Sequence, residues 1–182
     1  YDKKLKTELY EVPHILAFGG IHGAIDNYMD EGFYVMSDIA SMYPSLMILF
    51  NFLSKNVVEP KKFEEIRDTR IRYKRAKNPL QAPLKIVING TYGASKDKNN
   101  SLYDPLMANN VCINGQLLIV DLLEKLEMAF GSDLRLIQSN TDGILVKLKN
   151  PSDYDKYVAV CKEWETRTGF ELEHDKYCKV FQ

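Results

Sequence analysis

The chain lacks an uninterrupted apolar run of about eighteen residues, the length a membrane-spanning helix needs, and it lacks a signal-like amino terminus. A membrane partner and an export route are therefore not expected. Cysteine is scarce. Cys112, Cys161 and Cys178 lie far apart, in no metal-ligand spacing, and their odd number argues against a disulfide framework. They read as reduced thiols of a cytoplasmic protein. Neither sign of charge is in excess: 24 basic residues face 25 acidic ones, for a formal net charge of -1, so nucleic acid would have to be bound through a local patch. Repeats and low-complexity segments are missing too. What is there is 182 residues, 45% apolar and 27% charged, which suits one or two globular domains with a sizeable core. The sequence starts at Tyr1 without an initiator methionine and ends at Phe181 and Gln182, and it reads as a piece of a longer chain.

Residues 134–148, L-R-L-I-Q-S-N-T-D-G-I-L-V-K-L, set two apolar runs around a polar Asn-Thr-Asp-Gly. Alternation from Ile144 to Leu148 predicts a β-hairpin that carries Asp142 at its tip. Asn, Asp and Gly are also ordinary turn formers, so this acid alone says little. A second acid changes its weight. The run 32–37 reads as a buried strand closed by Asp38, ahead of a second apolar stretch at 39–50. A carboxylate at a strand end, facing another at a hairpin tip, suits Mg²⁺, which is usually held by one or two carboxylates together with substrate phosphates. Two such ions clamp an in-line phosphoryl displacement.

Residues 1–30 are polar and mixed, with Pro13, Gly19, Gly20 and Gly23 interrupting any long helix, and F-G-G-I-H-G at 18–23 reads as a loop in which backbone can approach a ligand closely. His22 among the glycines reads as structural or solvent-exposed. After Asp38, Ser41 is a candidate N-cap and Pro44 suits a first helical turn. Residues 61–77 have acids early and bases late, as a helix dipole favours, with Arg70 and Lys74 four apart; from charge alone this is a solvated face. Asn78-Pro79 breaks that helix. A second helix over 80–94 places Lys85, Asn89 and Tyr92 on one face, a cationic, amidic and aromatic series suited to phosphate, sugar and base. A long buried helix is expected over 106–130, ended by Gly131, another from Pro151 to about Thr168, stopped by Gly169, and a last strand over 170–181. Tyr157 and Trp164 read as packing.

The order of acid strand, basic helical hairpin and acid hairpin resembles the palm and fingers of family B DNA polymerases, closest to phage-type members. D-I-A-S-M-Y-P-S-L at 38–46, K-I-V-I-N-G-T-Y-G at 85–93 and S-N-T-D-G at 139–143 are similar to that family's three polymerase motifs, in their order. F-G-G at 18–20 resembles its template-touching linker. The resemblance implies an α+β fold, a palm with an antiparallel sheet and helices plus an inserted two-helix fingers hairpin, the exonuclease and thumb being absent. It implies palm over 1–58, fingers over 59–97 and palm again over 98–182. Asp38 and Asp142 would be catalytic and would ligate two Mg²⁺ ions, or Mn²⁺ in their place, with the Ile39 carbonyl as a further ligand. Tyr43 would stack under the deoxyribose and exclude a 2'-hydroxyl. Lys85 with Arg70 and Lys74 would hold the triphosphate, Arg67 being the substitute for Arg70 if the helix register differs by a turn. Asn89 would support that contact, Tyr92 would line the nascent base pair, and Gly19, Gly20 and Gly93 would lie against DNA. Glu173 resembles a late acid near the metals, or is a strand-exposed glutamate. The partners implied are primer-template DNA, dNTPs and the rest of a polymerase chain, in the cytoplasm of a bacterial or phage-infected cell. Asn140 stands where the family has its first aspartate of the third motif, Gly143 where it has serine, and Gln116 near a usual Gly-Arg pair. A catalytically degenerate nucleic-acid or nucleotide-binding module is the other reading.

Overall fold

The polar amino-terminal stretch, in which no long helix was expected, forms strands. In the computed structural model, which describes residues 3–181, β1 (Leu5–Leu9), β2 (Val12–Ala17) and β3 (Gly20–Ala24) make an antiparallel meander. The tight turn from β1 to β2 is built by Tyr10 and Glu11, at φ 51° and 61°. A two-residue hairpin turn normally advertises positive φ with Asn or Gly. This one does not, and the Tyr10 hydroxyl holds it by donating to the Gly131 carbonyl at 2.7 Å. F-G-G-I-H-G is likewise a hairpin, Phe18 and Gly19 forming its turn, instead of an open loop.

The chain continues through β4 (Met29–Ile39), α1 (Met42–Leu49), α2 (Pro60–Arg75), α3 (Gln81–Lys96), α4 (Pro105–Phe130), β5 (Leu134–Asn140), β6 (Gly143–Leu148), α5 (Tyr154–Thr168) and β7 (Leu172–Phe181). The strands pair antiparallel in the order β1-β2-β3-β5-β6-β4-β7. The fold is α+β. Pro60 opens α2, and Gly169 closes α5 in the left-handed conformation at φ 79°. Ser41, the candidate N-cap of α1, has φ 50°, outside the extended region typical of that position.

Two compact units divide the chain. Residues 1–42 with 113–182 hold the sheet, α5 and most of α4; residues 43–112 hold the other helices. In the sheet unit, alternation turns Tyr34, Met36 and Asp38 of β4 to one face and Val35, Ser37 and Ile39 to the other. The first face carries a cluster of Tyr28, Tyr34, Ile137 and Leu145 with Met36 against it. The second is covered by α5, whose Tyr157 and Trp164 are fully buried. As expected those two pack, and Trp164 Nε1 donates to Asp121 at 2.8 Å. β6 is buried almost throughout and does not alternate, because it lies inside the sheet with both faces occupied.

In the helical unit, α2 and α3 pack against each other, with Phe63 and Ile88 buried. α4 with the turn after it is long and apolar enough to cross a membrane by length and composition, with a mean hydropathy of 1.4 over its most apolar window. Half of that window is buried inside the protein, as in a core helix.

Candidate functional site

The predicted hairpin is present, with a tip of two residues. Asn140 pairs with Gly143, leaving Thr141 and Asp142 as the turn. The tip is braced on both sides. The Asn140 side-chain oxygen accepts the Thr141 amide at 2.8 Å, and the Asp142 carbonyl accepts the Ile39 amide of β4 at 2.7 Å. That second bond brings the two motif acids to one end of the sheet, since Ile39 follows Asp38. Gly20, at φ 137°, fits against Thr141, and any side chain there would strike the threonine. His22, exposed, has its Nε2 3.4 Å from the Thr141 hydroxyl. The close approach that these glycines permit is thus made to the chain itself at Gly20, while Gly19 is open.

Asp38 is directly opposite Gly143 on one side and Glu173 on the other. Directly opposed residues share a face, so Gly143, Asp38 and Glu173 form a transverse row. A Cβ at position 143 would collide with Asp38 Oδ1 and stand 3.0 Å from the Ser37 carbonyl. Glycine therefore gives the Asp38 carboxylate its space. Among the described residues no three His, Cys, Asp or Glu side chains form a ready-made metal cage. Mg²⁺ held by one or two carboxylates and a substrate's phosphates needs none. The half-exposed Asp38 and exposed Asp142 supply hard oxygen donors of the right kind.

One residue further into the sheet lies a row on the opposite face that contains the buried His14, Ser139 and Ser37. Register runs His14, Gly23, Ser139, Ile144, Ser37, His174 across six strands. His14 Nδ1 is 2.7 Å from the Val12 carbonyl, which can only accept, so Nδ1 carries the proton and Nε2 accepts from Ser139 Oγ at 2.6 Å. At the other end Ser37 Oγ lies 2.8 Å from His174 Nδ1 and 2.7 Å from the Tyr157 hydroxyl. Burial pushes both histidines below the usual 6.5 and the Tyr157 hydroxyl well above its ordinary value.

These shifts have a direct consequence. The unfolded chain binds protons to His14 and His174 more readily than the folded one, so stability falls as pH drops below about 6.5 toward the folded values and is fully present above it. Urea unfolding at pH 7.5 and pH 5 is expected to show the loss, and His174→Gln to reduce it; an unchanged pH dependence in that variant would remove His174 from the account.

The helical unit carries the remaining candidates. Lys85 and Asn89 are exposed on α3 and Tyr92 is half-buried on it, its ring 4.4 Å from that of Tyr43. Burial, then the neighbouring Tyr43, pushes the Tyr92 hydroxyl up. On α2 the bases separate into kinds. Arg70 is buried, unlike a solvated face, while Lys74 is exposed. Arg67 pairs within its own helix, Nε lying 2.6 Å from Asp68 Oδ1. A methyl group added at Gly90 or Gly93 would have nothing within van der Waals reach, so packing gives no reason for either glycine.

Sequence patterns point to Asp38, Asp142 and the α3 face, but they do not reveal the row from His14 to His174. A lone histidine such as His14 has no spacing signal, and its serine partner lies 125 positions away. Compared with protein-family models and with curated proteins, the chain matches none.

Proposed function

We propose that this chain carries the nucleotidyl-transfer centre of a template-directed DNA polymerase. The observation that carries the reading is the junction of Asp38 and the Asp142 turn at one end of the sheet, beside a glycine that leaves room for the Asp38 carboxylate. A binding module has no need for one acid near a strand end and another in the turn bonded beside it. In this reading Asp38 and Asp142 hold two Mg²⁺ ions, with the Ile39 carbonyl beside them. When bound, the ions lower the pKa of the primer 3'-hydroxyl and neutralise charge on the departing pyrophosphate. The hydroxyl attacks the α-phosphorus in line, a new P–O bond forms, and the bond to the β-phosphate oxygen breaks. Lys85, Lys74 and Arg70 screen the triphosphate, Asn89 supports Lys85, Tyr43 limits the sugar to deoxyribose and Tyr92 borders the base pair. Arg67, engaged by Asp68, has the weaker claim to a phosphate. Cys112, Cys161 and Cys178, none of them in a disulfide among the described residues, suit a reducing cytoplasm.

The bare glycines of α3 support close approach by a nucleic acid. Gly93→Ala should raise helix stability by roughly 0.5–1 kcal/mol, since alanine is the better helix former and meets open space. Primer extension should nevertheless fall about tenfold, because the methyl occupies the surface that DNA would reach. Equal or faster extension by the stabilised variant would take Gly93 out of the interface.

One observation favours the degenerate-module reading. Asn140 occupies the position of a family acid, and its side-chain oxygen is used to brace the turn. Primer extension with Mg²⁺ and dNTPs, by a longer protein containing this chain, decides between the two. Extension supports the enzyme; DNA or nucleotide binding by a folded protein without extension supports the module.

A further inference from the structure

The end of β5 that leads into the acid-bearing turn has a short ladder on its β3 side. Two residue pairs, Gly23 with Ser139 and Ala24 with Gln138, join it to β3, and its register against β6 shifts between Leu136 and Gln138. A short ladder gives this end few backbone hydrogen bonds, and a bulge leaves a residue of its strand unpaired. A side chain from one strand further out supplies what they lack. His14 on β2 stands opposite Gly23, and any Cβ at position 23 would overlap its imidazole ring, so the ring lies over the glycine and reaches Ser139 on the next strand but one. There Nε2 accepts from Ser139 Oγ at 2.6 Å, with Nδ1 anchored on the Val12 carbonyl at 2.7 Å. His14 and Ser139 are each 2% exposed. An apolar residue would fill the same space, but a buried polar pair is satisfied in one register alone.

We infer that His14 is a positioning residue. Its hydrogen bond across Gly23 fixes the end of β5 and thereby holds the Asn140–Asp142 turn in place beside Asp38. The catalytic consequence rests on the nucleotidyl-transfer reading; the mechanical one does not.

Amide hydrogen exchange on the 182-residue chain tests the mechanical part. The reporters are the Ile39 amide, bonded to the Asp142 carbonyl, and the Lys149 amide, bonded to the Asp133 carbonyl at the other end of the same hairpin. His14→Leu is expected to speed exchange at Ile39 at least about tenfold and leave Lys149 within about twofold. His14→Gln, whose amide oxygen can stand near the Nε2 position and accept from Ser139 Oγ, is expected to restore slow exchange. Should His14→Leu fail to fold, Ser139→Ala removes the same bond by loss of a single hydroxyl and is expected to show the same split. Unchanged Ile39 exchange, or equal acceleration at both amides, overturns the inference. In a longer protein that extends primers, the variants that lose the bond should need about tenfold more Mg²⁺ for half-maximal rate, with KM for dNTP within about twofold. A wild type that extends no primer would sink the polymerase reading, while Ile39 exchange still decides the role of His14.

Discussion

Alanine at Asp38 or at Asp142 is expected to slow Mg²⁺-dependent primer extension on the order of a thousandfold, with the fold intact. The fold should survive for different reasons at the two positions. Asp142 is exposed, and its structural bond comes from its backbone carbonyl to Ile39, which alanine keeps. Asp38 stands directly opposite Glu173, and like charges so placed repel, so removing one relieves that repulsion. Thermal unfolding beside primer extension, both on a longer protein containing this chain, separates the effects. A variant that stays folded and extends at the wild-type rate would show that its acid holds no catalytic metal. Loss of extension together with loss of the fold would mean that these acids serve the sheet.

Gly143→Ala should be the most damaging small change near the acids. The added methyl collides with Asp38 Oδ1 and sits 3.0 Å from the Ser37 carbonyl, so the carboxylate must turn away and the β4–β6 ladder must give slightly. Overpacking of this kind costs about 1–3 kcal/mol. Extension should fall about a hundredfold, since displacing a metal ligand by about an ångström carries that order of loss. The double variant Asp38→Ala with Gly143→Ala separates the two consequences: removing the carboxylate should return most of the lost stability and none of the activity. If Gly143→Ala alone is as stable and as active as wild type, Asp38 has another position that serves equally well, and the glycine is a turn residue only.

The parts legible from sequence were those whose signals are local. The hairpin around Asp142 showed itself by turn residues between apolar runs, and α2, α3 and α5 by proline, glycine and helical spacing. Strands β1 to β3 stayed hidden because Tyr10 and Glu11 adopt positive φ without the usual residue types and because the glycines of 18–23 look like loop. The bases of α2 looked alike in sequence; burial separates Arg70 from Lys74, and an ion pair marks off Arg67.

Which residues can carry charge, turn the chain or start and stop a helix follows from their own chemistry over a few positions, and to that extent the sequence named Asp38, Asp142 and the α3 face unaided. Which of them meet is a matter of strand register. The placement of Asp38 against a bare Gly143, the Asp142 carbonyl on Ile39, and the hydrogen bonds of His14 with Ser139 and of Ser37 with His174 join residues more than a hundred positions apart. A periodicity of two tells which face a residue takes but not which neighbour it meets, because pairing between distant strands is chosen by the packing of the whole sheet.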